Sequence, residues 1–477
     1  MPGSMSGVAC GEWISGIINK VLLDLWYTVL LHLIKEKVKA MADIVLVYPY
    51  VHKHARNAML FHPLGIAQLS AILRHEGLDT SVVDLTFRSI DEALSELVGD
   101  QPRVVGMYVM LTMIERARAL AKKIRQLVPG VLLVCGGPMP TLRPEQFIPD
   151  FDLVFRGEAA DSFPSFCRDY MESGTLTDVL HCSDLYPGLY TRNIQDGTIL
   201  HTPLRPTDEE GLDRLPIPDR RDYNHALYQQ FWQQREGYSP AGIMTTYGCP
   251  YSCNFCSKPI FGSYFRRRNL DSIMGEICDI RSLGYDGLWI ADDCFTLDID
   301  HVRAFCHRLI QENFRMTWTC LSRTEEIPME DVQLMRDAGC NKVFFGLESG
   351  SNAVLKLMNK HTTIQAAEHM LHLFSRCGIK AAGFFMVGYP GETYETIEAT
   401  LSWALTLPLD EISFTIPFPL PDTPLFQKIC CIQMDADWSY ENENRMIYQS
   451  EFDEEYLHKR IDETYDKFAS RKRSKTG

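Results

Sequence analysis

The 477-residue sequence is poor in positive charge. It contains 47 lysines and arginines against 62 aspartates and glutamates, which gives a formal net charge of −15. A chain of this charge has no general attraction for nucleic acids or anionic lipids. The short basic run at residues 266–268 is a candidate local binding patch, and a solvated or phosphate-facing turn explains it at least as well. We therefore expect no nucleic-acid partner.

The sequence also lacks a long uninterrupted apolar run and a secretory leader. The strongest candidate, residues 21–34, contains Asp24 and His32 and is too short to cross a bilayer. The fifteen cysteines are odd in number and mostly scattered singly, which is not the pattern of a disulfide-rich secreted protein. These absences predict a cytoplasmic protein with reduced thiols and no membrane span.

Residues 41–185 alternate between short apolar runs and longer amphipathic stretches. We predict strands over residues 44–48, 81–84, 104–110, 131–135 and 152–156, separated by helices over residues 64–76, 90–98 and 114–128. This alternation predicts an α/β domain with a doubly wound, Rossmann-like parallel sheet, whose ligand lies beyond the carboxyl ends of the strands. Residues 1–40 are interpreted as an extension, either upstream of the fold or packed on its outside.

The pattern changes twice more along the chain. Residues 186–240 are rich in proline and charge and are interpreted as a linker. Residues 241–430 predict six further strands, at 242–247, 287–291, 317–321, 342–347, 381–387 and 411–416, each followed by a helix or loop. Six units are too few for an eight-fold barrel, so we expect a partial, TIM-like barrel with its chemistry at the carboxyl ends of the strands. Residues 431–477 are expected to form helices that close the barrel mouth.

A cluster of three cysteines follows the first predicted barrel strand. Cys249, Cys253 and Cys256 have the spacing C-x₃-C-x₂-C, on a loop where the barrel places its chemistry. Zinc sites usually have four protein ligands, often as paired C-x₂-C groups, and no second pair lies nearby. Three thiolates can instead hold an iron-sulfur cluster with one iron left without a protein ligand. Iron-sulfur is the favoured reading, with zinc or a structural thiol cluster as alternatives.

The cysteine spacing, with Phe255 before the third cysteine, resembles the signature of the radical S-adenosylmethionine (SAM) superfamily. The resemblance implies that the three cysteines bind a [4Fe-4S] cluster and that the remaining iron binds SAM, which is cleaved to a 5′-deoxyadenosyl radical. It also implies SAM contacts at the ends of later strands. These candidates are Asp292, Asp293, Arg323, Glu348, Ser349, Gly383 and Gly388. An arginine fork suits the SAM carboxylate, and Glu348 suits the ribose hydroxyls.

Together with the first domain, the barrel resembles the cobalamin-binding radical SAM class over residues 41–430. The resemblance implies that glycine-rich loops surround the nucleotide tail of cobalamin, at Gly136, Gly137, Thr141, Gly157 and Glu158. The D-x-H-x-x-G motif that supplies a histidine to cobalt is absent. His52, His54 and His62 lack its spacing, so we expect no histidine ligand and assign the lower face of cobalt to residues 109–113, including Leu111 and Thr112.

The resemblance implies a cobalamin-dependent radical SAM methyltransferase. Such an enzyme methylates an unactivated carbon, or less often phosphorus, of a small-molecule or natural-product substrate, using the adenosyl radical and methylcobalamin. It takes electrons from a donor such as flavodoxin or ferredoxin. One alternative is a non-methylating cyclisation, oxidation or rearrangement with the same cofactors, and a second is a non-catalytic cobalamin or SAM sensor. A methylthiotransferase is disfavoured because the first domain has no second cysteine trio.

Overall fold

The computed structural model describes residues 42–52, 59–193, 196–258, 260–429, 446 and 448–476. The expected extension at residues 1–40, His54 and the adjacent thiols Cys430 and Cys431 lie outside the described residues.

The first domain is built on a seven-stranded sheet. Its strands are β1 (Ile44–Tyr48), β2 (Thr80–Asp84), β3 (Val104–Tyr108), β4 (Leu132–Gly136), β5 (Leu153–Phe155), β6 (Leu189–Arg192) and β7 (Ile199–His201). They lie in the order β2-β1-β3-β4-β5-β6-β7, the first five parallel and the last two antiparallel. The chain reverses its winding direction between β1 and β3, and doubly wound folds bind their ligands at such a switch point.

Helices cover both faces of this sheet. They are α1 (Leu64–His75), α2 (Ile90–Asp100), α3 (Ile114–Leu127), α4 (Pro138–Leu142), α5 (Ser162–Ser173) and α6 (Leu176–Leu180). The side chains of α2 and α3 pack on one face and those of α1 and α5 on the other, which explains why the parallel strands are apolar on both sides. A reciprocal cap between Ser89 and Glu92 starts α2. The doubly wound prediction is confirmed.

The segment expected to be a linker is folded. It supplies β6 and β7 to the sheet edge and forms α7 (Glu209–Arg214) and α8 (His225–Glu236). Two buried side chains of α8 attach it to the first domain: the Tyr228 hydroxyl donates to Asp84 at 2.7 Å, and the Trp232 indole donates to the Leu60 carbonyl at 2.6 Å. The linker interpretation therefore fails for this segment, because its aromatic residues bury apolar surface among the prolines and charges.

The second domain is a partial barrel. Its strands are β8 (Pro240–Ile243), β9 (Thr246–Tyr247), β10 (Arg266–Arg267), β11 (Gly287–Ile290), β12 (Thr317–Ser322), β13 (Cys340–Glu348), β14 (Lys380–Met386) and β15 (Glu411–Thr415). Six of them form one parallel sheet in the order β15-β14-β13-β12-β11-β8, and β9 pairs with β10 in a separate antiparallel ribbon. The partial barrel is confirmed, although its first predicted strand divides into β8 and β9.

Helices surround the barrel on its outer face. They are α9 (Leu270–Ser282), α10 (Ile299–Gln311), α11 (Met329–Asp337), α12 (Asn352–Leu357), α13 (Ile364–Arg376), α14 (Tyr394–Thr406), α15 (Pro424–Lys428) and α16 (Glu454–Thr476). The final helix was expected at the barrel mouth. Instead α16 packs beside α14 and β15, burying Leu457 and Ile461, and the Phe414 amide donates to the Tyr465 hydroxyl at 3.0 Å. Residues 430–445, the other part of that prediction, lie outside the described ranges.

One aromatic stack joins the two domains. The Phe61 ring, which precedes α1, lies between Trp232 of α8 at 4.8 Å and Trp289 of the barrel at 5.4 Å. Stacked rings of this kind contribute packing energy beyond their buried area. Within the described ranges, every helix falls short of the length or the hydropathy that crossing a bilayer requires.

Candidate active site

The cysteine loop leaves the barrel through a turn that requires glycine. Gly248 has φ of 81°, and a Cβ there would lie 2.3 Å from the Tyr264 carbonyl oxygen. Lys258 then holds the loop from the inside, because its ammonium donates to the Cys249 carbonyl at 2.7 Å, to the Tyr251 carbonyl and to the Ser263 hydroxyl at 3.0 Å. The backbone of the loop is thus fixed before any ligand binds.

The three thiols of this loop are free and differ in exposure. Cys253 is buried, Cys249 is partly buried and Cys256 is exposed. Within the described ranges, no three cysteine, histidine, aspartate or glutamate side chains are grouped around one metal-ion position. A zinc ion needs ligands that converge on one point, whereas each thiolate of a [4Fe-4S] cluster binds a different iron. The donor set therefore fits a cluster better than a single ion.

Cationic side chains lie next to the buried thiol. The Arg323 guanidinium donates to Cys253 Sγ at 3.4 Å and to the Lys360 carbonyl, and it stacks 3.8 Å over the ring of Tyr251. Its Nε donates to Glu325 at 3.2 Å. Burial raises the pKa of the Cys249 thiol, while the charges of Lys258 and Arg323 lower it. Positive charge of this kind favours thiolates and an anionic cluster.

The two adjacent aspartates after β11 have different surroundings. Asp292 is fully buried and accepts from the Thr245 amide at 2.7 Å, the Thr245 hydroxyl at 2.6 Å and the Thr246 hydroxyl at 2.7 Å. Burial raises its pKa to about 6 despite these bonds. Asp293 is exposed, and its charge raises the pKa values of Cys249 and Cys256. Asp292 therefore ties the barrel strands together, and only Asp293 faces the cysteines.

The end of β13 carries a buried ion pair. Glu348 has a positive φ of 63°, and one of its carboxylate oxygens accepts from Lys360 Nζ at 2.6 Å. The pair occupies space that a Cβ on Gly346 would fill. Ser349 is fully buried and its hydroxyl contacts Thr400 at 3.2 Å, so it faces the outer helices rather than the cysteine loop.

The two glycines predicted to contact SAM are packing positions. A Cβ on Gly383 would lie 2.9 Å from the side chains of Leu347 and Leu409, which belong to the core between strands and helices. A Cβ on Gly388 would lie 2.8 Å from Leu457 of α16. Their missing side chains are therefore explained by the approach of protein atoms on the helix side of the sheet.

An apolar layer borders the cysteine loop. Phe255 packs against a small cluster of buried residues that comprises Val354, Met358, Met386, Tyr389 and Leu425. Two backbone bonds fix the loop to this layer: the Asn254 amide donates to the Met358 carbonyl at 2.9 Å, and the Leu425 amide donates to the Asn254 carbonyl at 2.9 Å. The layer keeps water from one side of the loop.

Aromatic rings form the floor at the switch point of the first domain. Tyr48 at the end of β1 and Tyr108 at the end of β3 lie 5.8 Å apart, and Tyr50 lies 5.9 Å from Tyr48. Gly137, with φ of 104°, lets the loop after β4 approach this floor, because a Cβ there would lie 3.1 Å from the Tyr108 ring. These rings lie at the carboxyl edge of the sheet, where doubly wound folds bind their ligands.

The loops predicted to bind the nucleotide tail of cobalamin are joined to each other by hydrogen bonds. The Thr141 hydroxyl donates to the Gly137 carbonyl at 2.8 Å and accepts from the Gly157 amide at 2.8 Å. A Cβ on Gly136 would lie 3.2 Å from the Phe155 carbonyl. Thr141 was predicted to lie beside the nucleotide tail, but its hydroxyl already joins the loops after β4 and β5.

Glu158 faces the second domain. Its carboxylate pairs with Arg266 of β10 at 2.7 Å and accepts from the Thr207 amide at 3.2 Å. Both partners are buried: the side chain of Arg266 is 0% exposed and that of Glu158 is 7% exposed. Because β10 pairs with β9 at the base of the cysteine loop, this ion pair connects the loop after β5 to that loop.

The residues predicted near the lower face of cobalt lie at the carboxyl edge of the sheet. Leu111 and Thr112 form a 3₁₀ turn with Met113 directly after β3, and both are half-buried. The His62 imidazole contacts the Tyr285 hydroxyl at 2.9 Å, and burial holds its pKa well below the usual range. The His52 ring packs against Phe231 at 5.5 Å.

In comparisons with known proteins, two family profiles match parts of this chain. The profile of the radical SAM superfamily matches residues 243–404, and that of the B12-binding domain matches residues 55–166. The first match runs from the end of β8 into α14, and the second covers β2 to β5 and the loops after β3 to β5. The chain therefore combines a B12-binding domain with a radical SAM domain, the combination found in cobalamin-dependent radical SAM enzymes. It is an enzyme whose cofactors are cobalamin, a [4Fe-4S] cluster and SAM.

Relatives of this chain have names that indicate different reactions. An uncharacterised methyltransferase of Pyrococcus horikoshii is 29% identical over 76% of this chain and 78% of its own. Cytidylyl-2-hydroxyethylphosphonate methyltransferase of Streptomyces wedmorensis is 25% identical over 81% of each chain. The anaerobic magnesium-protoporphyrin IX monomethyl ester cyclase of Rubrivivax gelatinosus is 26% identical over 81% of this chain and 70% of its own.

A solved structure has the same fold. The radical SAM methyltransferase TsrM from Kitasatospora setae, with cobalamin and a [4Fe-4S] cluster bound, superposes with a TM-score of 0.69. The match covers 82% of this chain and 75% of that one at 21% identity.

Several residues of the site could not be found by motif. Lys258 and Tyr251 lie within the cysteine loop, where the loop signature specifies no such residue, and Lys360 and Tyr389 come from distant elements. Only the position of Lys258, two residues after Cys256, offered a signal.

Proposed function

We propose that this enzyme methylates an unactivated carbon of a small molecule or natural product. One observation carries the proposal: the cysteine loop and the open edge of the first sheet are joined through the buried pair of Glu158 and Arg266. The substrate would lie between these two edges, where both cofactors can reach it. Phosphorus is the less favoured methyl acceptor. The name of the Streptomyces relative gives a phosphonate substrate but does not state which of its atoms is methylated.

The cysteine loop supplies the cluster ligands in this proposal. Cys249, Cys253 and Cys256 hold the cluster, and Phe255 and its apolar layer exclude water from it. When bound, the cluster supplies the electron that cleaves SAM. Arg323 and Lys258 offset the negative charge of the thiolates.

Asp293 and Glu348 are the proposed contacts for SAM. The Asp293 carboxylate is exposed beside the cysteines and can accept from the SAM amino group. Glu348 uses one carboxylate oxygen for Lys360 and can offer the other to ribose hydroxyls. Arg323 already donates to three protein groups, so at most its remaining N–H groups can reach the SAM carboxylate.

The first domain supplies the cobalamin site. Tyr48, Tyr108, Leu111 and Thr112 form the proposed cover of the lower cobalt face, with no histidine ligand from the described residues. Gly136, Gly137 and Gly157 shape the loops around the nucleotide tail, and Thr141 fixes those loops rather than the tail itself.

A second candidate reaction has support from one relative. The cyclase of Rubrivivax gelatinosus shows a non-methylating outcome among proteins similar to this one. Formation of S-adenosylhomocysteine separates the two candidates, because methyl transfer from SAM leaves this product and a cyclisation without methyl transfer does not.

The proposed partners and location follow from the chemistry. A low-potential donor such as flavodoxin or ferredoxin would deliver the electron, and the reduced thiols of the chain suit the cytoplasm. The charge of −15 gives no support to a nucleic-acid partner.

Iron binding tests the cluster assignment. We expect anaerobically reconstituted protein to hold about four irons and four sulfides per chain, as one [4Fe-4S] cluster requires. Replacing Cys249, Cys253 or Cys256 by Ala should remove the cluster and all reductive SAM cleavage. Cys278→Ala is the matched control, because this exposed thiol lies on α9, outside the loop. A triple variant of the loop cysteines with normal iron content would contradict the assignment.

A further inference from the structure

A cavity lies inside the partial barrel, toward the amino ends of its strands. Its volume of about 120 Å³ is several times what one buried water needs, and it approaches the roughly 150 Å³ of an apolar cavity that holds benzene. Lys342, near the start of β13, lines the cavity, whereas Glu348 ends the same strand. At about 3.3 Å per residue the two side chains lie roughly 20 Å apart along β13, so the Lys342 end of the cavity is far from the proposed SAM contact.

One wall of the cavity is a continuous row of aromatic rings. Phe61 stacks on Trp289 at 5.4 Å, and Trp289 meets Phe344 edge-on at 5.2 Å. Phe344 in turn stacks on Phe384 at 5.6 Å. Phe61, Trp289 and Phe384 are only half-buried, because each faces the cavity. Such a wall offers a flat apolar ligand both contact area and ring stacking.

The polar end of the cavity is a buried ammonium held by two carboxylates. The side chain of Lys342 is 4% exposed, and its Nζ donates to Glu236 at 3.0 Å and to Glu411 Oε1 at 2.5 Å. These carboxylates take up the donors of Lys342, while the second oxygen of Glu411 can accept a further hydrogen bond. The Glu411 side chain is 42% exposed, so this oxygen can reach a ligand in the cavity.

We propose that this cavity is a second small-molecule site, which binds an apolar ring carrying an amine. The ring would lie on the aromatic wall, and the ammonium group would donate to the second oxygen of Glu411. Aromatic ring faces attract cations, so both the wall and the carboxylate favour an amine over an acid. Phe61 belongs to the first domain and Glu411 to β15, so a bound ligand would contact both domains. The proposal does not depend on the cluster assignment or on the reaction.

Two probes of matched size test the ligand chemistry. Phenethylamine carries an ammonium group on a phenyl ring, and 3-phenylpropanoate carries a carboxylate on the same ring and spacer. Binding to the full-length holoenzyme would be measured by saturation-transfer NMR and calorimetric titration. We expect phenethylamine to bind and 3-phenylpropanoate to bind at least about tenfold more weakly, because it has no donor for Glu411. Equal affinities would overturn the assignment to amines, and failure of both probes to bind would overturn the site.

Two variants locate the bound probe. Ser413→Phe places a ring in the cavity, which Ser413 lines from β15, and should abolish phenethylamine binding. Glu411→Gln keeps the shape but removes the charge, and it should weaken binding roughly fivefold or more, since a charged hydrogen bond is about twice as strong as a neutral one. Glu330→Gln is the matched control, because this exposed carboxylate lies on α11, outside the cavity.

Wild-type affinity for phenethylamine in either folded variant would overturn the proposal. Thermal unfolding establishes that each variant is folded, and Glu411→Gln decides alone if Ser413→Phe does not fold. SAM affinity, measured with and without saturating phenethylamine, should be the same. Competition between SAM and phenethylamine would contradict the separation of this cavity from the SAM site.

Discussion

Adjacent residues of like charge have separate roles at the end of β11. The sequence predicts both Asp292 and Asp293 as contacts for SAM, because both follow the strand. The structure separates them: Asp292 bonds three donors on Thr245 and Thr246, and Asp293 is exposed beside the cysteines. A motif cannot make this distinction, because it depends on threonines at the start of β9 and just before it.

Replacing these aspartates should affect two different properties, stability for Asp292 and SAM binding for Asp293. Asp292→Ala leaves three buried donors without an acceptor and should lower the free energy of unfolding by about 3 kcal/mol. Asp293→Ala should change it by less than about 0.5 kcal/mol and weaken SAM binding by roughly tenfold or more, since a charged hydrogen bond is worth about 1.5–3 kcal/mol. Denaturant unfolding and calorimetric titration with SAM measure the two quantities. Weakened SAM binding in a stable Asp292→Asn variant would argue that Asp292 contacts SAM directly.

For other predicted residues, too, a local motif does not show which partner the side chain contacts. The cysteines could be predicted because their spacing alone carries their chemistry. Thr141, Ser349, Gly383 and Gly388 matched motifs, but protein atoms already occupy their hydroxyls or the space beside them. Which partner satisfies a buried group is decided by packing between distant elements, and a single sequence does not contain that information in local form.

Strands and helices were predicted well where patterns are long. Strand β1 has the predicted bounds, and the other parallel strands of both sheets differ from prediction by a few residues at their ends. The hairpin of β6 and β7 was missed because its strands, of four and three residues, show little alternation and lie beside a proline-rich segment. Helix α8 was missed for a related reason, since its buried aromatic residues face the first domain rather than the core of its own segment.

The ion pair between the loop after β5 and the base of the cysteine loop should stabilise the protein. Glu158→Ala leaves the buried Arg266 cation unpaired and should lower the free energy of unfolding by about 3–5 kcal/mol. The Glu158→Ala, Arg266→Met double variant should recover part of this loss, because no charge remains buried. Thermal and denaturant unfolding with cobalamin and cluster bound provide the measurement.

An exposed ion pair supplies the control. Glu76 and Arg168 lie 3.0 Å apart on the surface of the first domain, and Glu76→Ala should cost less than about 1 kcal/mol. Equal losses for Glu76→Ala and Glu158→Ala would contradict a special role for the buried pair.

At the scale of the whole molecule, the two domains present their carboxyl edges to a common region. The segment of residues 186–240, the aromatic stack of Phe61 and the pair of Glu158 and Arg266 hold the domains together. The domain classes could be predicted from alternation and motif, but the interface could not, because its residues come from segments without a recognisable pattern. A substrate between these edges would be shielded from water by both domains, which suits radical chemistry.

Quantification of SAM products tests the central claim most directly. The anaerobic holoenzyme would be incubated with a reductant, SAM carrying a deuterated methyl group and an extract of small molecules, and the products would be resolved by mass spectrometry. The account predicts a product that carries the intact labelled methyl group on carbon, with one S-adenosylhomocysteine and one 5′-deoxyadenosine formed per product, all dependent on cobalamin. A transformed product without label, formed with 5′-deoxyadenosine but without S-adenosylhomocysteine, would contradict methyl transfer as the reaction of this enzyme.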